Sequence, residues 1–119
     1  MKNLLFPVLA ALAFSVLAQP RVVDGVLTDS KGMTLYVWDN DLSVPGKIQC
    51  VGVCTLSWPP MLAGESDKPT GEYTLIARED AKKQWAYKGR PLYLWVNDGK
   101  PGDRTGDGFR AGTWHLVRP

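Results

Sequence analysis

Residues 33–38 read Met-Thr-Leu-Tyr-Val-Trp, and residues 91–95 read Pro-Leu-Tyr-Leu-Trp. Aromatic, β-branched and aliphatic residues in such short runs predict strands. With a side-chain period of two, Leu35 and Val37 share one face, and Tyr36 and Trp38 the other. In the second run, Leu92 and Leu94 oppose Tyr93 and Trp95. Both faces are apolar, so both strands are predicted to be central and covered on each side. Residues 21–28 predict a strand or strand pair broken at Asp24-Gly25, followed by a turn at 29–32. Residues 73–77 predict a strand, 78–83 a hairpin turn and 84–87 its return. Residues 75–85 also form the best helical window, because Glu79 and Lys83 stand at i,i+4. Long helices are excluded, since Pro and Gly interrupt nearly every stretch of the chain. Polar loops are expected at 39–49, 65–70 and 97–108, the last so rich in Gly and Asp that it predicts no regular structure.

The two aromatic strands belong to a longer duplication. Gly32, Leu35, Tyr36, Trp38 and Asp41 return as Gly89, Leu92, Tyr93, Trp95 and Asp98 at a spacing of 57. The spacing then drops to 56 and carries Pro45-Gly46 onto Pro101-Gly102, Gly52 onto Gly108 and Trp58 onto Trp114. The pattern implies two copies of one supersecondary unit, each burying its aromatics against the other. The expected fold is all-β and mostly antiparallel. Two pseudo-symmetric repeats (about 25–63 and 73–119), with long irregular loops, pack around a shared aromatic core. Trp38, Trp58, Trp95 and Trp114 are assigned to that core, with Trp85 added between the copies. A duplicated meander of this kind closes as a sandwich or an open barrel.

The N-terminus changes the picture of where the protein works. Lys2 precedes an almost unbroken apolar run over 4–17, and Val16-Leu17-Ala18 offers a cleavage site. This predicts a signal peptide over 1–18, cut after Ala18, and a periplasmic or secreted mature chain of one domain over 19–119. The run is shorter than the roughly 20 apolar residues that span a bilayer, so no integral membrane segment is expected in the mature chain. Without Lys2, 13 basic residues face 12 acidic ones. That balance, with no basic patch, excludes nucleic acid as a partner class.

The motif Tyr-x-aromatic-x-x-Asp occurs as Tyr36-x-Trp38-x-x-Asp41 and again as Tyr93-x-Trp95-x-x-Asp98. Between them stand Cys50-x-Gly52-x-Cys54, Trp58-Pro59-Pro60 and Gln84-Trp85-x-Tyr87-x-Gly89, and Gly112-x-Trp114-His115 follows. This ordered set resembles the bacterial "secreted repeat of unknown function" family, also described as predicted lipoproteins with the Yx(FWY)xxD motif. The resemblance implies an exported or envelope-attached protein and brings no catalytic residue, substrate or cofactor. Gln19 stands where a lipoprotein carries its anchor Cys, which favours a free periplasmic form.

The chemistry-bearing residues have competing readings. Tyr36, Trp38, Asp41, Tyr93, Trp95 and Asp98 line a binding face, or the aromatics form the duplicated core while each Asp fixes a turn by accepting backbone N–H groups. Duplicated positions usually serve the shared fold, which favours the second reading. Cys50 and Cys54, an even pair in an exported chain, predict a disulfide that rigidifies one small loop. The alternative is a copper- or redox-linked accessory protein, with His115 or Met61 completing a soft-metal site. Asp98, Asp103 and Asp107 are oxygen donors, but their spacing is not that of an EF-hand. His115, the chain's one histidine, and Ser57 fall in different halves with no nucleophile-elbow pattern. The expectation is a non-catalytic binding or envelope-associated module, not an enzyme, with no cofactor. Its partner is an envelope protein or a small molecule.

Overall fold

The computed structural model describes residues 18–119. Apart from Ala18, the expected signal peptide lies outside the described residues. Each copy opens with a hairpin. β1 (Arg21–Val23) and β2 (Val26–Thr28) pair antiparallel. Asp24 and Gly25 turn the chain with φ of 49° and 81°, the positive values a two-residue hairpin turn requires. β3 (Tyr36–Trp38), α1 (Cys54–Ser57) and β4 (Leu62–Ala63) complete the first copy. The second copy has β5 (Tyr73–Ala77) and β6 (Lys83–Tyr87) as its hairpin, then β7 (Arg90–Pro91), α2 (Phe109–Gly112) and β8 (Trp114–Leu116). All strand pairs are antiparallel.

The helical turn allowed at 75–85 does not form. The strand register from Tyr73↔Tyr87 to Ala77↔Lys83 engages the backbone groups a helix would need. Asp80 closes the hairpin by accepting the Lys82 N–H. Short single turns form where none were expected: the helical α1, a 3-10 turn over Asp39–Ser43 at the start of the first polar loop, and α2, in which Arg110, Ala111 and Gly112 all have positive φ. Residues 97–108 stay irregular.

The two copies exchange their closing segments. β3 of the first copy pairs with β8 of the second, Tyr36 opposite Leu116 and Trp38 opposite Trp114. In return, Tyr93 bridges Pro60, and β4 pairs with β6. At the centre, the Tyr36 N–H donates to the Tyr93 carbonyl (2.8 Å) and the Tyr93 N–H to the Tyr36 carbonyl (2.9 Å). The pseudo-two-fold axis passes between these residues. Neither copy has its own closing strand, so the buried interior belongs to both.

The strand alternation is realised as two hydrophobic clusters. Leu27, Leu35, Val37, Met61, Trp85, Leu92 and Val117 form an aliphatic one. Tyr36, Cys50, Trp58, Tyr93, Trp95 and Trp114 form an aromatic one, with Trp38 packed against it. One assignment is corrected here. Trp85 does not join the other tryptophans. Its inward face on β6 is on the side of Leu35 and Leu92, so it fills the aliphatic cluster.

Candidate functional site

The motif tyrosines and aspartates meet across the duplication. The Tyr36 hydroxyl donates to Asp98 Oδ2 at 2.6 Å, and the Tyr93 hydroxyl donates to Asp41 Oδ2 at 2.9 Å. Each tyrosine thus serves the carboxylate of the other copy. The remaining carboxylate oxygens fix their own loops: Asp41 Oδ1 accepts the Gln49 N–H, and Asp98 Oδ1 accepts the Thr105 N–H and hydroxyl. Tyr36, Tyr93, Asp41 and Asp98 are all buried. Burial and the Asp98 contact push the Tyr36 hydroxyl well above its ordinary value. Burial and the Asp41 charge do the same to Tyr93. Burial also raises Asp41, against the pull of the Gln49 N–H, the Tyr93 hydroxyl and the Arg90 charge. These four residues brace the interior.

The tryptophans form a column. Trp38 stacks on Trp114 (ring centroids 5.0 Å apart), Trp114 on Trp58 (3.7 Å), and Trp58 leans on Trp95 (4.2 Å). The order Trp38–Trp114–Trp58–Trp95 maps onto itself when the copies are exchanged. Phe109 packs on Trp95 and Trp58. Contact is so close that a Cβ on Gly106 would lie 2.9 Å from Trp58 Cη2 and 3.0 Å from Trp95 Cγ. Gly106 is the counterpart of Cys50 at the 56-residue spacing. The second copy therefore has no room for the cysteine of the first.

Beside this column lies a cleft of about 550 Å³, within the usual range for small-molecule pockets. Its floor is Trp38, Trp58, Trp95 and Trp114. Val51, Val53 and Cys54 form one rim; Phe109 and Arg110 form another. Val53 is 82% exposed, Val51 50% and Phe109 44%, so apolar side chains are held out in water around a tryptophan floor. The Cys50–Cys54 disulfide ties the first rim to the core. The second rim is strained. Arg110 and Ala111 both have φ of 55°, a left-handed setting that costs a non-glycine residue about 1–3 kcal/mol.

Of the six aromatic-motif residues read as a binding face, Trp38 and Trp95 reach the cleft, and the other four do not line it. Val51, Val53, Phe109 and Arg110 were missed. The duplication held a signal for them, since it aligns Val53 with Phe109, each one residue after a turn glycine. Of the soft-metal set, Cys50 and Cys54 are bonded to each other, Met61 sits in the aliphatic cluster, and His115 pairs with Asp39. Asp98, Asp103 and Asp107 are engaged by Tyr36, by the Gly99 and Lys100 N–H groups, and by the Leu116 N–H. Among the described residues, no three His, Cys, Asp or Glu side chains converge as a metal site.

A second polar cluster lies at the edge of β8. His115 Nε2 is 2.9 Å from Asp39 Oδ2, and Arg90 Nη2 is 3.3 Å from Asp39 Oδ1. The His115 contact, helped by Arg90, holds the Asp39 carboxyl below the usual range. Ser57 is exposed on α1 and lines the cleft, whereas its hydroxyl has no hydrogen bond to His115.

A family model described as "secreted repeat of unknown function" matches residues 22–61 and again 74–118. The chain belongs to this family. Its two matched segments are the two copies described above, and the family's description points to an exported location. No curated protein and no solved structure matches the chain significantly. Among the described residues, no helix is long and apolar enough to cross a membrane.

Proposed function

We propose that the protein is an exported, non-catalytic binding module that takes a small flat aromatic molecule into the tryptophan-floored cleft. The observation that carries this reading is the cleft itself. It combines a stacked aromatic floor with exposed apolar rims. Tryptophan offers large contact area at small entropic cost, and a preset cavity avoids ordering on binding. The disulfide supports the reading by holding the Val51–Val53 rim in place before any ligand arrives. In this account the leader over 1–18 is removed after Ala18, and the mature chain acts in the periplasm or outside the cell.

The five tryptophans supply the test. Four belong to the column, and Trp85 lies in the other cluster as an internal control. Nitrogen-15 indole spectra are recorded while planar aromatic compounds are added. The reading predicts shifts for Trp38, Trp58, Trp95 and Trp114 with Trp85 unmoved. Column indoles that ignore every compound, or a Trp85 that moves as much as they do, sink it.

A further inference from the structure

Resting on that reading, we infer that the cleft selects a small planar aromatic anion, a carboxylate, and that Arg110 is its specificity determinant. Among the lining residues, Arg110 carries the one charge, and no acidic side chain stands with it. Its guanidinium makes no ion pair and no hydrogen bond among the described residues. A guanidinium beside an apolar floor attracts an anion more strongly than one in open water, because apolar walls lower the local dielectric. Its planar fork suits a carboxylate, and indole rings suit a flat partner.

The backbone at Arg110 gives a second, independent line. Arg110 corresponds to Cys54 at the 56-residue spacing. In the first copy that position opens α1, whose preceding residue is ordinary right-handed helix and whose Cys54 carbonyl accepts the Trp58 N–H. In the second copy, Arg110 and Ala111 are both left-handed. The duplicated fold is therefore built without this strain in one copy and with it in the other. The strained copy is the one that sets a cation at the mouth of the cleft. The other left-handed non-glycine residues, Asp24, Ala81 and Lys88, sit in turns between paired strands that call for that setting. Arg110 and Ala111 instead hold it at the rim of a cleft, where such strain is a recurrent mark of a working position.

The size of the cleft separates a small molecule from a long chain. At about 550 Å³ it falls within the range of pockets that take small molecules. A second cleft of about 510 Å³ lies on the other side of the disulfide loop, lined by Ile48, Ile76, Lys47, Glu79 and the Arg78–Asp80 ion pair. There two cations (Lys47, Arg78) stand with two acids (Glu79, Asp80), so that lining carries no net positive charge to draw an anion.

The experiment titrates the mature protein with 2-naphthoate, its neutral isostere 2-naphthamide, and decanoate, read by the column indole resonances. We expect naphthoate to bind at least tenfold more tightly than naphthamide. Arg110→Gln should close that gap, and Arg110→Lys should restore most of it. Equal binding of naphthoate and naphthamide overturns the anion inference and leaves the cleft reading standing. A decanoate affinity above that of naphthoate overturns the planar-ring part. If no compound moves a column indole, the cleft reading falls and the inference falls with it.

Discussion

Tyr36→Phe removes one oxygen from the centre of the molecule and leaves its ring in place. That hydroxyl donates to Asp98 Oδ2 at 2.6 Å and accepts the Gly106 N–H at 3.2 Å. A hydrogen bond to a carboxylate contributes about 1.5–3 kcal/mol net, and stranding a buried N–H adds about 1 kcal/mol. The ring's edge contact on Trp58, at 5.4 Å, is unaffected. The expected loss is therefore about 2.5–4 kcal/mol, a large share of the roughly 5–15 kcal/mol that holds a domain of this kind. Urea unfolding followed by tryptophan fluorescence measures it, with a midpoint lowered by roughly 1–3 M. The pairing itself is tested by a double-mutant cycle. Tyr36→Phe and Asp98→Asn should couple by about 1–2 kcal/mol, whereas Tyr36→Phe and Asp41→Asn, in the same copy, should be close to additive. Stronger coupling to Asp41 than to Asp98 would refute the exchanged arrangement.

Three further outcomes follow from the same geometry. Gly106→Ala pushes a methyl group into the rigid faces of Trp58 and Trp95 and should cost about 1–3 kcal/mol in urea unfolding; a cost below 0.5 kcal/mol, on the order of a surface change, would contradict the packing. Cys50→Ser with Cys54→Ser releases a loop with three residues between the cysteines and should cost about 2 kcal/mol by loop entropy. The double variant should also weaken ligand binding at the rim; unchanged stability and unchanged affinity together would remove the disulfide's assigned role. Asp39 is held below the usual carboxylate range, so its contribution is full above the unfolded value near pH 4 and is lost as pH falls through the folded value. Asp39→Asn should thus lower stability at neutral pH and converge with wild type in acid, with a gap that salt narrows because the pair is partly exposed; a gap that widens toward low pH would reverse the assignment.

The alternation of residues 33–38 and 91–95 was enough to foresee the two faces, because a strand's side-chain period is fixed at two. The hairpin around residues 78–82 was legible for a similar reason, since a polar turn separates two apolar runs. The role of Asp41 and Asp98 was half legible. Their loop-fixing bonds to Gln49 and Thr105 are local, whereas their bonds to Tyr93 and Tyr36 span more than fifty residues. A lone repeat pattern contains no term that says which copy's tyrosine serves which aspartate. Trp85 was misplaced because tryptophans were grouped by type, while its strand register faces it toward Leu35 and Leu92. The single turns escaped because four or five residues are too few for a 3.6-residue period to show. Arg110 escaped because a left-handed arginine leaves no mark in composition. Its place beside the tryptophan column depends on the fold having closed.

The central claim is that the tryptophan-floored cleft, and no other surface, is where this protein binds. Isotope-filtered nuclear Overhauser spectra of the labelled protein with unlabelled 2-naphthoate locate the ring directly. The account predicts contacts from the naphthyl protons to Trp38, Val53 and Phe109. Contacts to Ile48 and Ile76, across the disulfide loop, would contradict it.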